Sequence, residues 1–119
     1  MAKYFSKVAG VSHDNEDGSS RQYAIRKFCS AGTPITLKRE PHNKFGSSAI
    51  SVWVYGKNIF RKGDFQIGYI PSALSSELAP RIDAGWTVTA VVKEVTGGGE
   101  LTYGCNIDIT AEFAEKKES

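Results

Sequence analysis

From residue 50 onward the chain alternates cleanly: Ile50, Val52 and Val54 fall on one side of an extended segment, and Ser51, Trp53 and Tyr55 on the other. Period-two alternation in β-branched and aromatic residues predicts a half-buried strand. A weaker alternation of Tyr4, Val8 and Val11 predicts a first strand over residues 2–11, and Ile35 and Leu37 against Thr36 and Lys38 predict another after Pro34. Between them the spacing turns helical. Tyr23 or Ala24, Ile25, Phe28 and Cys29 recur at three- and four-residue intervals, with Ser19 or Ser20 placed as a cap and Gly32 as a stop. FQIGYIP predicts a short strand, and residues 72–85 a helix capped by Ser72, with Leu74, Leu78 and Ile82 on one stripe and Pro80 distorting its middle. The last hairpin pairs Val88, Ala90 and Val92 with Leu101, Tyr103, Cys105, Ile107 and Ile109 around a glycine-rich turn at 96–100. Lys116, Lys117 and Glu118 read as a frayed tail.

About six short strands with one or two short helices, and neither an internal repeat nor a linker, predict a mainly β fold: a small, partly closed antiparallel barrel. An α+β sandwich is the competing architecture. With 119 residues the chain can build one core without disulfide or metal staples, so a single domain over 1–119 is expected, its core at about 5–109 and a tail at 110–119. Two connections stand out. Residues 56–65, GKNIFRKGDF, read as a mobile hairpin extension able to reach a partner. The connector after Leu37, KREPHNKFGSSA, carries three basic residues, a histidine and an aromatic ring where a turn needs only Gly, Asn or Pro.

Charge sharpens this picture. The net charge of +2 conceals a segment, residues 21–62, with nine basic residues and one acid, Glu40, whereas the rest of the chain has six basic and twelve acidic residues. Such segregation predicts a basic face. No apolar run approaches the ~18 residues of a membrane span. The start, MAKYFSKVAGV, lacks the apolar core of a signal peptide, and Cys29 and Cys105 form no disulfide framework. A reducing, cytoplasmic setting with no membrane partner is expected.

Little else in the chain suggests chemistry. Cys29, Cys105, His13 and His42 contain no closely spaced pair, so neither a metal site nor a cofactor is expected. No Gly-x-Ser-x-Gly elbow or cysteine-hydrolase signature accompanies either thiol, and the three glycines at 97–99 precede no Gly-Lys-Ser/Thr or helix. An enzyme is not expected. Basic residues interleaved with aromatic rings suit single-stranded nucleic acid, which is held by Lys and Arg along its backbone and by stacking of its bases. Trp53 is expected to pack beneath a helix, whereas Phe45 in the connector has fewer reasons to be a core ring.

The blocks V-A-G-V (8–11), G-S-S-R-Q (18–22), L-K-R-E-P-H-N-K-F-G-S-S-A-I-S-V (37–52), I-G-Y-I-P (67–71) and G-W-T-V (85–88) resemble the HIRAN domain family. The resemblance implies an OB-like β-barrel without catalysis of its own, found fused to DNA-repair helicases and as short standalone bacterial proteins. In fork-remodelling helicases the domain grips the 3′ end of single-stranded DNA. Carried over by motif, Asn43 matches the family asparagine and Phe45 the aromatic that stacks on the terminal base. Gly46 replaces an aspartate that bonds the terminal hydroxyl, and Ser12 and His13 replace an arginine and a tyrosine. The expected partner is therefore single-stranded DNA or a DNA end, with Phe45 stacking and Arg39, Lys44, Lys38 and Arg21 meeting phosphates. His13 stands in as a flat ring or phosphate donor, and Asn43 lies beside the ring. Docking on DNA-processing proteins, through a strand edge or residues 56–65, is the alternative.

Overall fold

The alternation seen in the sequence becomes a six-stranded antiparallel sheet in a computed structural model that describes residues 1–113. The strands are β1 (Ala2–Lys7), β2 (Pro34–Arg39), β3 (Ile50–Lys57), β4 (Lys62–Tyr69), β5 (Thr87–Gly98) and β6 (Leu101–Glu112), and the helices are α1 (Arg21–Phe28) and α2 (Ser72–Asp83). The order across the sheet is β1-β6-β5-β2-β3-β4, an OB-like arrangement that stays open between β1 and β4. One isolated bridge spans that opening: Ala9 and Tyr69 exchange N–H···O bonds of 2.7 and 2.9 Å. Among the described residues, no helix is long and apolar enough to cross a membrane, and no cluster of His, Cys, Asp and Glu could hold a metal ion.

The inner face is lined by the residues whose periodicity marked them. Ile50, Val52 and Val54 of β3 meet Ile67 of β4, Ala90 and Val92 of β5, and Cys105, Ile107 and Ile109 of β6, all buried. Helix α1 lies over this face, burying Ala24 and Ile25, and Ser20 Oγ caps it by accepting the Tyr23 N–H at 3.1 Å. Phe28 at its end requires Gly56, because a Cβ there would sit 2.5 Å from the ring. Cys29 and Cys105 are free thiols buried in the same core. A hydrogen bond to Cys105, together with burial, pushes the Cys29 thiol up, whereas the same hydrogen bond lowers Cys105 against its burial.

Several expectations change. Residues 56–65 are no loose extension, because the β3–β4 ladder continues to Lys57↔Lys62 and leaves a turn of only four residues, 58–61. Asn58 Oδ1 accepts the N–H groups of Phe60 (2.9 Å) and Arg61 (2.8 Å), which fixes that turn. Strand β6 pairs as far as Glu112, so 110–112 belong to the sheet and not to a tail; Lys116, Lys117 and Glu118 lie outside the described residues. Leu101, beside the turn of the last hairpin, is exposed. Helix α2 is capped by no side chain: Pro71 occupies the cap position, and Ser72 is already helical. The helix runs through Pro80, whose missing N–H costs one main-chain bond on an exposed turn.

Candidate nucleic-acid interface

Three segments converge on one cleft: the loop at 10–19, the connector at 40–49 and the start of α2, with Trp53, Gln66 and Tyr69 between them. Its volume is about 1590 Å³, above the roughly 300–1,000 Å³ of small-ligand pockets.

The connector is held in shape by Glu40 and Asn43, which bond to each other and to the loop backbone. The Asn43 N–H donates to the Glu40 carbonyl (3.1 Å), and the Gly46 N–H to the Asn43 carbonyl (3.1 Å). Asn43 Nδ2 donates to Glu40 Oε1 at 2.9 Å while its Oδ1 accepts the Phe45 N–H at 2.8 Å. From below, the Tyr69 hydroxyl donates to the same Glu40 oxygen at 2.9 Å. Burial raises the Glu40 pKa, but the hydrogen bonds from Asn43, Tyr69 and Ser51 and the charge of Arg21 outweigh it, holding the carboxyl below its ordinary value. Burial and the adjoining Glu40 carboxylate raise the Tyr69 phenol, which stays a donor.

A pH dependence follows from this carboxylate. A depressed folded pKa means that Glu40 stabilises the fold above its unfolded pKa, near 4.5, and that this contribution is lost as pH falls through the lower folded value. Glu40→Gln should therefore cost roughly 1 kcal/mol at neutral pH, with the difference from the parent shrinking in acid. Urea unfolding at a series of pH values checks this; a pH-independent difference would show that the charge is not what matters.

The structure gives the sequence-predicted residues unequal roles. Phe45 is 88 % exposed at the cleft mouth, with Lys44 Nζ 5.2 Å from its ring centre. Lys38 lies 4.1 Å from the centre of the Trp53 ring and 3.3 Å from Asp64. Arg39 is a staple: Nε and Nη2 grip Asp83 at 2.9 and 3.0 Å, and Nη1 donates to the carbonyls of Ser47 and Ala49. Every nitrogen is engaged, so Arg39 ties the connector to α2 and offers little to a phosphate. Asn43 likewise shapes the loop. Arg21 is no surface charge; it is only 8 % exposed, donates to Asn15 Oδ1 (2.7 Å) and the Gly10 carbonyl (2.8 Å), and lies against Tyr69. His13 and His42 line the cleft, but neither cysteine does, so no Cys–His pair is assembled.

Other cleft residues escaped sequence reasoning. Trp53 does not lie beneath a helix: it is half-buried in the cleft, with its indole N–H donating to Ser51 Oγ at 2.7 Å. Its place opposite Val52 and Val54 was the available signal. Arg61 reaches the cleft from the β3–β4 turn and lies 3.6 Å from Asp17. Asp14, Glu16 and Asp17 line the cleft from the 10–19 loop, with Arg61 beside Asp17, and Lys44, Phe45 and Glu40 line it from the connector, so the cleft carries both signs with its acids concentrated in the 10–19 loop.

Comparison with known proteins agrees with this architecture. The HIRAN domain of human HLTF superposes with a TM-score of 0.60 at 18% identity, covering 92% of this chain and 74% of that one. A protein from Lactobacillus plantarum superposes with a TM-score of 0.61, also at 18% identity, covering 91% and 96%. At such identity the likeness is one of fold. No curated protein matches the sequence. The profile of the HIRAN domain matches residues 3–112, nearly the whole described chain, and with the connector motif folded into one wall of the cleft, the chain belongs to the HIRAN domain family.

Proposed function

We propose that this chain is a non-catalytic module that binds single-stranded nucleic acid, DNA ends foremost, in the context of DNA processing or repair. The observation that carries the reading is Phe45: a ring 88 % exposed, held in water by a turn whose backbone and Asn43 side chain are fixed, with a lysine beside it. An apolar ring kept exposed by a rigid loop gains free energy when something flat covers it, and a nucleobase supplies that face with a phosphate within reach of Lys44.

Charge selects the path of the strand. Lys44 stands on the connector, Lys38 over the Trp53 ring, where Asp64 pairs with it, and Arg21 at the back, whereas Asp14 and Glu16 of the 10–19 loop repel a polyanion. The phosphates therefore track the connector. Phe45 has no hydroxyl and Gly46 no carboxylate, so stacking holds the last base without a group to read its 3′-hydroxyl.

Fluorescence anisotropy with short labelled oligonucleotides tests this. Binding is expected to fall with salt at a log–log slope of about −0.7 per phosphate neutralised. Strands ending in 3′-hydroxyl and 3′-phosphate should bind alike. Absence of binding at low salt overturns the proposal.

A further inference from the structure

Beyond the cleft, the outer face of β3 continues as an unusual surface. Trp53 lies on the cleft floor, and the next outward residue, Tyr55, is 59 % exposed. At ~3.3 Å per residue their attachment points are about 7 Å apart on the same face. Lys57 follows, directly opposite Lys62 of β4. Like charges facing each other across a ladder are unfavourable, and among the described residues neither lysine has an acidic partner. Asp64, the acid on this face, is already paired with Lys38. The row ends at the turn, where Ile59 and Phe60 are 91 % and 89 % exposed although the hydrogen bonds from Asn58 fix the backbone.

We propose that this face is a second binding segment, in which Tyr55 and Phe60 stack bases and Lys57 and Lys62 hold phosphates of the strand that leaves the cleft over Trp53. The inference rests on the reading of the cleft as a single-strand site and extends its footprint. Charge complementarity selects the occupant, since two unneutralised lysines around exposed rings call for a polyanion bearing flat apolar groups. Continuity selects a strand over a lipid surface. A membrane would engage Ile59 and Phe60 at the tip, but it gives no reason for Tyr55 to be exposed along the line back to Trp53. The departing strand is steered the same way by Asp14 and Glu16 of the 10–19 loop.

The test compares labelled oligothymidylates of about 4 and about 16 nucleotides, the range covered by one OB fold, with the full chain and its variants. The parent should bind the longer strand more tightly per site. Tyr55→Ala, and separately Lys57→Gln with Lys62→Gln, should weaken the longer strand by about fivefold or more, the loss of one stacked base or of phosphate contacts, and leave the shorter unchanged. Phe60→Ala should act as Tyr55→Ala does. If the short strand binds in a Phe45-dependent way but the longer one gains nothing and is indifferent to Tyr55 and Lys57/Lys62, the second segment is refuted and the cleft stands. If neither strand binds, the reading of the cleft falls, and this inference with it. If Phe60→Ala spares the longer strand but abolishes binding to phosphatidylserine vesicles, the turn belongs to membranes and the proposal is overturned.

Discussion

Phe45→Ala is expected to weaken the proposed binding of a short single-stranded oligonucleotide by about 5- to 150-fold and to leave thermal unfolding unchanged. The magnitude is that of one base–aromatic stack, ~1–3 kcal/mol. The separation of affinity from stability comes from the site itself. The ring is 88 % exposed and makes no core contact, while the loop beneath it is held by the Phe45 N–H, which alanine retains, and by the Asn43, Glu40 and Tyr69 side chains, which the substitution does not touch. Few apolar truncations on a small domain are so cheap for the fold. Phe45→Tyr is the informative companion. It restores a hydroxyl beside the terminal base and should recover the stack while introducing a preference for a 3′-hydroxyl end. Anisotropy titration of the three proteins with 3′-hydroxyl and 3′-phosphate strands, together with their melting curves, gives both readouts. An unchanged affinity for Phe45→Ala would remove the central contact of the proposed function.

How far this site could be read beforehand depended on whether its parts were local. The strand of Ile50, Val52 and Val54, the helix around Ile25 and the connector around Asn43 and Phe45 were legible because periodicity, capping and a motif are encoded over a few residues. What the connector is built against was not. Arg39 looks free in sequence, yet it grips Asp83, forty-four positions away, because the tertiary fold brings the end of β2 beside the end of α2. Alternation says that Trp53 opposes Val52 and Val54 but does not say whether a helix or a cleft covers that side. The acids of the 10–19 loop were hidden for the same reason: Asp14, Glu16 and Asp17 precede the basic segment in sequence, and long-range contacts, among them the Ala9–Tyr69 bridge and the Asn15 bond to the Gln66 carbonyl, bring them to the cleft. Residues 56–65 misled through composition. Their glycines and lysines suggested a loose loop, whereas cross-strand pairing to Lys57↔Lys62 and the Asn58 side chain order it.

That bridge makes Gly68→Ala a strongly damaging single-methyl change. At Gly68 the backbone φ is +154°, and an added Cβ would lie 2.3 Å from the Ala9 carbonyl oxygen and 2.6 Å from Val8 Cγ1. The first contact is with main chain that is itself fixed, since Ala9 and Tyr69 exchange hydrogen bonds on either side of it. No rotamer relieves it, so the bridge must open. The backbone strain of a non-glycine residue there, ~1–3 kcal/mol, adds to about 1 kcal/mol for each of the two bonds. A loss of roughly 3–5 kcal/mol is a large part of a typical stability of about 5–15 kcal/mol and should lower the melting temperature by of order 10–20 °C. Function should fall with it, because Tyr69 carries the hydroxyl that supports Glu40 under the connector, and the displaced 10–19 loop lines the cleft. Gly46→Ala is the matched control: nothing lies within 4 Å of its added Cβ, and its φ is not positive, so stability should hold. Circular-dichroism melts of the two variants decide the matter, and hydrogen exchange at the Ala9 and Tyr69 amides locates the damage. Equal melting temperatures for Gly68→Ala and the parent would mean that the bridge does not hold the open side of the sheet together.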